Sequence, residues 1–173
     1  PCGAFTKNVF TQMKEKDILR FEGPLGTFFL REDSDKPILF VASGTGFAPV
    51  KSIVEHAIHT GITRQMVLYW GARTKADLYL AEVAESWQQQ YNNFTFIPVL
   101  SEALPTDNWN GRTGLVHQAV LADFASLAGY QVYACGTPVM VEAAHKDFTQ
   151  LRGLPEDEFF SDAFTPSSGE LKS

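Results

Sequence analysis

The segment Ile38-Leu39-Phe40-Val41-Ala42 is apolar without a break and runs straight into Ser43-Gly44-Thr45-Gly46, with Phe47-Ala48-Pro49 behind it. An apolar run with no alternation reads as a strand buried on both faces, the pattern of a central strand in a parallel sheet. Gly44 and Gly46 lack the Cβ that would block a sharp turn or a close approach to the main chain. The helix start that follows offers unpaired N–H groups to an anion. From the residues alone the turn is either a nucleotide-phosphate cradle or a tight connection.

Strand and helix patterns alternate from there onward. Residues 48–59 carry Val50, Ile53, Val54, Ala57 and Ile58 on one helical face, with Pro49 acceptable in the first turn, and Gly61 ends the helix. Residues 66–70 form a second buried strand, followed by Gly71-Ala72-Arg73-Thr74 and a helix expected to bury Leu80, Val83, Ala84, Trp87 and Tyr91. Residues 94–100 form a third strand, whose Pro98 places it at an edge or sheet end. A polar loop closing on Gly111-Arg112-Thr113-Gly114 leads to a helix over 115–127 with Val116, Ala119, Val120 and Phe124 inward. The strand 130–134 then meets Cys135-Gly136-Thr137-Pro138, a second strand-glycine-helix turn. Its helix carries Met140, Ala144, Phe148 and Leu151 on one side and stops at Gly153 and Pro155, before a last strand over 158–164. This order predicts an α/β fold: a doubly wound, five-stranded parallel sheet with helices on both faces and right-handed crossovers. Ligands of such sheets sit beyond the carboxyl ends of the strands, where the winding reverses. If the strands before the two glycine turns are neighbours, both turns face one crevice.

The front of the chain has a different rhythm. A short helix over 5–13 is expected, with Gly3 and Thr6 at its start, then strands at 18–22 and 27–30 about the turn Gly23-Pro24-Leu25-Gly26. One helix and two short strands cannot bury a core. Residues 1–34 are therefore expected to be the end of an upstream β domain, joined by the charged stretch 31–36 to a second domain over 35–173. There is no initiator Met, which fits a piece of a longer protein. The net charge of -6, without a basic block, speaks against nucleic acid or an anionic membrane as partner. Two cysteines, Cys2 and Cys135, in no paired spacing suggest neither a disulfide framework nor zinc, and fit a reducing cytoplasm. His56, His59, His117 and His145 read as surface or cap residues, and no metal site is expected.

Six segments, Gly44-Thr45-Gly46-Phe47-Ala48-Pro49, Tyr69-Trp70-Gly71-Ala72-Arg73, Asp77-Leu78-Tyr79, Gly111-Arg112-Thr113-Gly114, Tyr133-Ala134-Cys135-Gly136-Thr137-Pro138 and Phe160-Ser161-Asp162-Ala163-Phe164, together resemble the ferredoxin-NADP reductase superfamily. The likeness is to its oxygenase-reductase and CDP-6-deoxy-glucoseen reductase-like branch. It implies that residues 1–34 are the end of a flavin-binding β-barrel, with Gly3-Ala4-Phe5-Thr6 where the FAD diphosphate helix begins. Cys2 stands where the family usually has a glycine. The family's Arg-x-Tyr-Ser flavin motif and the four cysteines of a 2Fe-2S centre are absent here, and would lie upstream.

The resemblance implies an NAD(P)H-dependent flavoprotein oxidoreductase, in which hydride passes from the nicotinamide to FAD and electrons go onward to an iron-sulfur centre or a partner, an oxygenase or a sugar-nucleotide dehydrase. The alternative is an isolated nucleotide-binding fragment without turnover by itself. By the same resemblance Gly44, Thr45 and Gly46 take the pyrophosphate and nicotinamide end, Pro49 fixes the turn, and Cys135, with Gly136, Thr137 and Pro138, lies against the nicotinamide. Phe164 covers the flavin face. From the residues alone, Cys135 is equally a small buried hydrophobe and Arg73 equally a solvated surface residue as a nucleotide contact. NADP-specific members carry Ser-Arg after the third strand. Here Ser101-Glu102 puts a negative charge there, which repels a 2′-phosphate and predicts NADH over NADPH.

Overall fold

The computed structural model describes residues 4–23 and 25–164. The chain divides into two compact units, a small one of Pro1–Thr27 with Thr165–Ser173 and a large one of Phe28–Phe164. In the small unit the helix α1 spans Ala4–Thr11. Gly3, Pro24 and the tail from Thr165 lie outside the described residues. Residues 18–22 and 27–30, expected as strands, are not strands. A strand needs a ladder partner for its N–H and C=O groups, and neither segment joins the sheet of the described residues. Ile18 and Phe21 are 97% and 91% exposed.

The large unit alternates as the pattern demanded. Its elements are β1 (Ile38–Ser43), α2 (Phe47–His59), β2 (Met66–Ala72), α3 (Ala81–Gln90), β3 (Phe94–Leu100), β4 (Arg112–Thr113), α4 (Val116–Asp123), β5 (Gln131–Gly136), α5 (Pro138–Arg152) and β6 (Phe159–Ala163). The sheet order is β4-β3-β2-β1-β5-β6, and every pairing is parallel. Among the described residues there are six strands where five were expected. The extra one, β4, is a two-residue piece of the Gly111–Gly114 loop, too short to carry a hydrophobic period. It pairs only with Val99 and Leu100, so the Pro98 stretch of β3 has a partner on one side, β2, which a residue without an N–H tolerates.

The unbroken apolar runs reflect burial on two faces. Ile38, Phe40 and Ala42 pack with α2 and α3 residues, including Val50, Ile53, Val54, Ala84 and Trp87. Leu39 and Val41 pack with Val116, Val120, Met140, Ala144 and Phe148 from α4 and α5. Three local expectations change. Helix α4 ends at Asp123, with Phe124 already extended. On α5 Leu151 is exposed, and Leu154, past the left-handed Gly153, fills the core instead. Cys135 and Gly136 belong to β5 itself, so the turn into α5 is Thr137 alone.

The charged stretch 31–36 is fastened to the large unit. Arg64 donates to the carbonyls of Arg31 and Ser34 and to Gln131 Oε1, and the Arg31 N–H donates to the Tyr133 hydroxyl. Among the described residues no helix is long and apolar enough to cross a membrane.

Candidate functional site

β1 continues into β2, β3 and β4 on one side, and β5 with β6 lies on the other, so the winding reverses between β1 and β5. The two glycine turns therefore leave from adjacent strands, with Ala42 opposite Cys135. Ser43 ties them together: its Oγ accepts the Thr137 N–H at 3.2 Å. The approach is close enough that a Cβ on Gly136, whose φ is +144°, would lie 2.1 Å from Ser43 Oγ. A Cβ on Gly46 would lie 2.1 Å from the Cys135 carbonyl oxygen. Gly44 differs. Its φ of +51° calls for glycine, and a Cβ there would meet nothing within 4 Å.

Beyond the strand ends opens a cavity of ≈ 920 Å³, lined by Gly44, Thr45, Gly136, Thr137 and Phe164 among others. Trp70 supports the first turn from below, its Nε1 donating to the Gly44 carbonyl at 3.0 Å. Phe47 stacks on that indole at 4.0 Å, and Tyr79 meets it edge-on at 5.3 Å. At the far wall the ends of β2 and β3 are joined by N–H donation from Ser101 to Ala72 and from Glu102 to Arg73. Here Arg73 Nε and Nη2 donate to the two Glu102 carboxylate oxygens at 3.2 and 3.3 Å. Asp77 accepts from the Thr74 N–H and hydroxyl, both at 2.9 Å, which holds its carboxyl below the usual range. Phe164 closes the opposite end: its N–H donates to the Gly136 carbonyl at 2.8 Å and its side chain stays partly open, 38% exposed.

Residues 40–146 match the model of the oxidoreductase NAD-binding domain. The chain belongs to the oxidoreductase NAD-binding domain family. This NAD-binding domain is 47% identical over 165 residues to the CDP-6-deoxy-L-threo-D-glycero-4-hexulose-3-dehydrase reductase of Yersinia pestis, covering 95% of this chain and 49% of that protein. It is 40% identical over 148 residues to the NAD(P)H-flavin reductase of Aliivibrio fischeri, covering 86% and 61%. The chain thus spans about half the length of the first of these relatives and less than two thirds of the second. The Amycolatopsis cytochrome P450 reductase GcoB superposes with a TM-score of 0.75 at 35% identity, over 84% of this chain and 44% of that one. The resemblance to ferredoxin-NADP reductases carried by the six motifs agrees with these matches.

Of the residues singled out from the sequence, the NAD-binding domain brings Gly44, Thr45, Arg73, Gly136, Thr137 and Phe164 to one cavity. Gly46, Pro49, Glu102, Cys135 and Pro138 do not line it. Gly46 seats the turn on β5, and Glu102 reaches the wall through Arg73. Cys135 is fully buried against the α2 and α3 side of the core, and burial pushes its thiol from the ordinary value of 9.0 up to about 12. It is a neutral thiol near neutrality, so it offers no thiolate. Ala4, Phe5 and Thr6 begin α1, where Phe5 is exposed. Gly3 falls outside the described residues.

Two wall residues were not legible. Ser43 stood in the motif, but its bond to Thr137 depends on β1 and β5 being neighbours. His117, expected at the surface or in a cap, is 7% exposed and lines the cavity. The available signal was its spacing of three and four from Val120 and Leu121, which places it on the inward side of α4.

Proposed function

We propose that this chain is the nicotinamide-dinucleotide half of a flavin-dependent reductase, and that residues 1–34 are the end of its flavin-binding β-barrel. One observation carries the reading: the main chain stands bare at the switch point, with Gly44 open to the cavity and Gly136 bonded to Phe164 at its other end. The residues fit a dinucleotide. A cavity of ≈ 920 Å³ is in the range of about 300–1,000 Å³ usual for such ligands, and Gly44 leaves free the space that a Cβ would take. They also fit the flavin's diphosphate at α1, whose first turn carries no acidic residue to repel it. The exposed apolar side chains of Ile18, Phe21 and Leu25 support a larger β domain around that segment.

With NADH and FAD bound, the cofactors supply hydride transfer and the stepwise release of electrons to a 2Fe-2S centre or a partner enzyme. The chain's own part is placement. Gly44-Thr45-Gly46 and Gly136-Thr137 hold the dinucleotide across the strand ends, and Pro49, in the first turn of α2, fixes the geometry. Cys135 acts as an uncharged packing surface beneath Gly46, and Pro138 starts α5 without an N–H that would need a partner. Phe164 shields the site and yields to the nicotinamide. Glu102 occupies Arg73, which makes that pair neutral, and Asp77 beside it leaves the wall one negative charge toward any 2′-phosphate, which favours NADH. The names of the relatives support an electron acceptor of the oxygenase or sugar-nucleotide dehydrase class.

By itself the chain is then a nucleotide-binding module whose turnover requires the flavin half. Titration of the purified chain with NADH and NADPH, followed by nucleotide fluorescence, tests the binding, with NADH expected to bind more tightly. Tenfold tighter NADPH would reject the cofactor assignment. Glu102→Gln is expected to narrow the difference by about tenfold, one charge-pair step of about 1.4 kcal/mol. A protein including the upstream half is expected to be yellow and bleached by NADH; absence of NADH binding in either form would reject the proposal.

A further inference from the structure

His117 is the second residue of α4, and its ring makes no hydrogen bond among the described residues. Its ion-pair partner is Asp147 on α5, with Nε2 3.7 Å from the carboxylate oxygen, beyond hydrogen-bonding reach. Burial pulls the imidazole below its ordinary value of 6.5, and Asp147 pulls the other way. Among the described residues, Asp147 is the charged group that acts on the ring. The first turn of α4 is likewise open. No side chain caps it, and the first N–H of the helix with an internal acceptor is that of Ala119, bonded to the Leu115 carbonyl. Both features face the same cavity, beside Gly114, Leu115 and Val116.

The position fixes what they would meet. Val116 packs over Gly71, where a Cβ would come within 2.8 Å of the valine, and Gly71 is the register partner of Ser43 at the start of the Gly44 turn. The α4 start and the Gly44 turn therefore lie over neighbouring strands, about 4.8 Å apart, a step that two linked phosphates span. Resting on the dinucleotide reading above, we propose that the open first turn of α4 and His117, backed by Asp147, form an anion subsite that takes one phosphate of the diphosphate, His117 binding a proton as the anion enters. Without an anion, a charged imidazole at a helix N-terminus is opposed by the helix dipole as well as by burial. The phosphate reverses that balance, and Asp147 holds the ring toward it.

Binding of ADP-ribose to the purified chain, measured by calorimetry from about pH 8 to about pH 5.5, tests this. The probe keeps the diphosphate and has no group titrating in that window. Affinity is expected to rise as the pH falls, by about tenfold for each unit by which the phosphate raises the His117 pKa, with proton uptake visible as buffer-dependent heat. His117→Gln should bind with a flat pH profile and no proton uptake, and Asp147→Asn should displace the rise to lower pH. His145→Gln, whose ring pairs with Glu156 and packs on Phe159, should behave as the parent. A rise that survives intact in His117→Gln, or a flat parent profile, overturns the subsite. No ADP-ribose binding at any pH would instead overturn the dinucleotide reading beneath it.

Discussion

Two glycines of one turn should fail in opposite ways. Gly46 has an ordinary backbone, φ -60° and ψ -12°, so alanine there brings no torsional strain. Its Cβ would instead meet the Cys135 carbonyl oxygen at 2.1 Å, the carbonyl carbon at 2.5 Å and the Gly136 nitrogen at 2.8 Å. All three are main-chain atoms of β5, held by pairing to β1 on one side and β6 on the other. No side chain can rotate away, so Gly46→Ala should sit at the upper end of overpacking costs, about 3 kcal/mol. Gly44→Ala meets no atom within 4 Å and carries only the left-handed backbone penalty, about 1 kcal/mol. For a chain of this size about 1 kcal/mol moves the melting temperature by about 2–4 °C. Gly46→Ala should therefore melt about 6–12 °C below the parent and Gly44→Ala about 2–4 °C below. Binding should rank the other way. The Gly44 methyl projects into the cavity and should weaken NADH at least about tenfold, whereas Gly46→Ala, assayed where it is folded, should bind less badly. Thermal scans with NADH titrations read both quantities. If Gly44→Ala proved the less stable of the two, or bound NADH as the parent does, the division between a packing glycine and a ligand-facing one would be wrong.

Two further outcomes follow from the core. Tyr69, almost fully buried, donates its hydroxyl proton to Asp123 Oδ2 at 2.5 Å, and Asp123 is also held by Arg112 of β4. Tyr69→Phe should cost about 1.5–3 kcal/mol, the range for a hydrogen bond to a charged group, as a lowered midpoint in urea at unchanged slope. The Cys135 thiol is raised in the folded state to about 12 from an ordinary 9.0. Its contribution to stability is therefore complete below about pH 9 and is lost as the pH climbs from there toward 12, because the unfolded thiol ionises first. In a Cys2→Ser background, Cys135→Ala should flatten that alkaline decline in denaturation midpoints. An equally steep decline would place the thiol's titration elsewhere.

The large unit was legible because its sequence meets two demands at once. Runs such as Ile38–Ala42 and Val132–Ala134 satisfy a sheet covered on both faces, and glycines mark the places where the chain must leave it. Those signals are local, and the predicted order of strands and helices rests on them. β4 escaped because two residues carry no period. The strands expected at 18–22 and 27–30 rest on side-chain type alone, yet a strand exists only within a ladder, and neither segment joins the sheet of the described residues. Leu151 was misplaced because the left-handed Gly153 redirects the chain and lets Leu154 turn back to Phe148, to whose carbonyl its N–H is bonded.

The site divides along the same line. Gly44, Thr45, Gly136, Thr137 and Phe164 could be named because turns and strand ends announce themselves in sequence. What makes them one site is tertiary. Ser43 bonds to Thr137 94 residues away, Glu102 acts on the wall only through Arg73, and His117 matters only because α5 sets Asp147 behind it. Each of these polar groups works through a partner on another element, and a pairing across elements has no spacing to read. The cysteine makes the converse point. Its place in the motif suggested chemistry, but the three-dimensional surroundings decide its protonation, and a thiol pushed to about 12 contributes shape rather than charge. On the function proposed above, the reactive groups belong to the bound cofactors, and the uncharged turn, Arg73 engaged by Glu102 and His117 backed by Asp147 do the placing around one crevice.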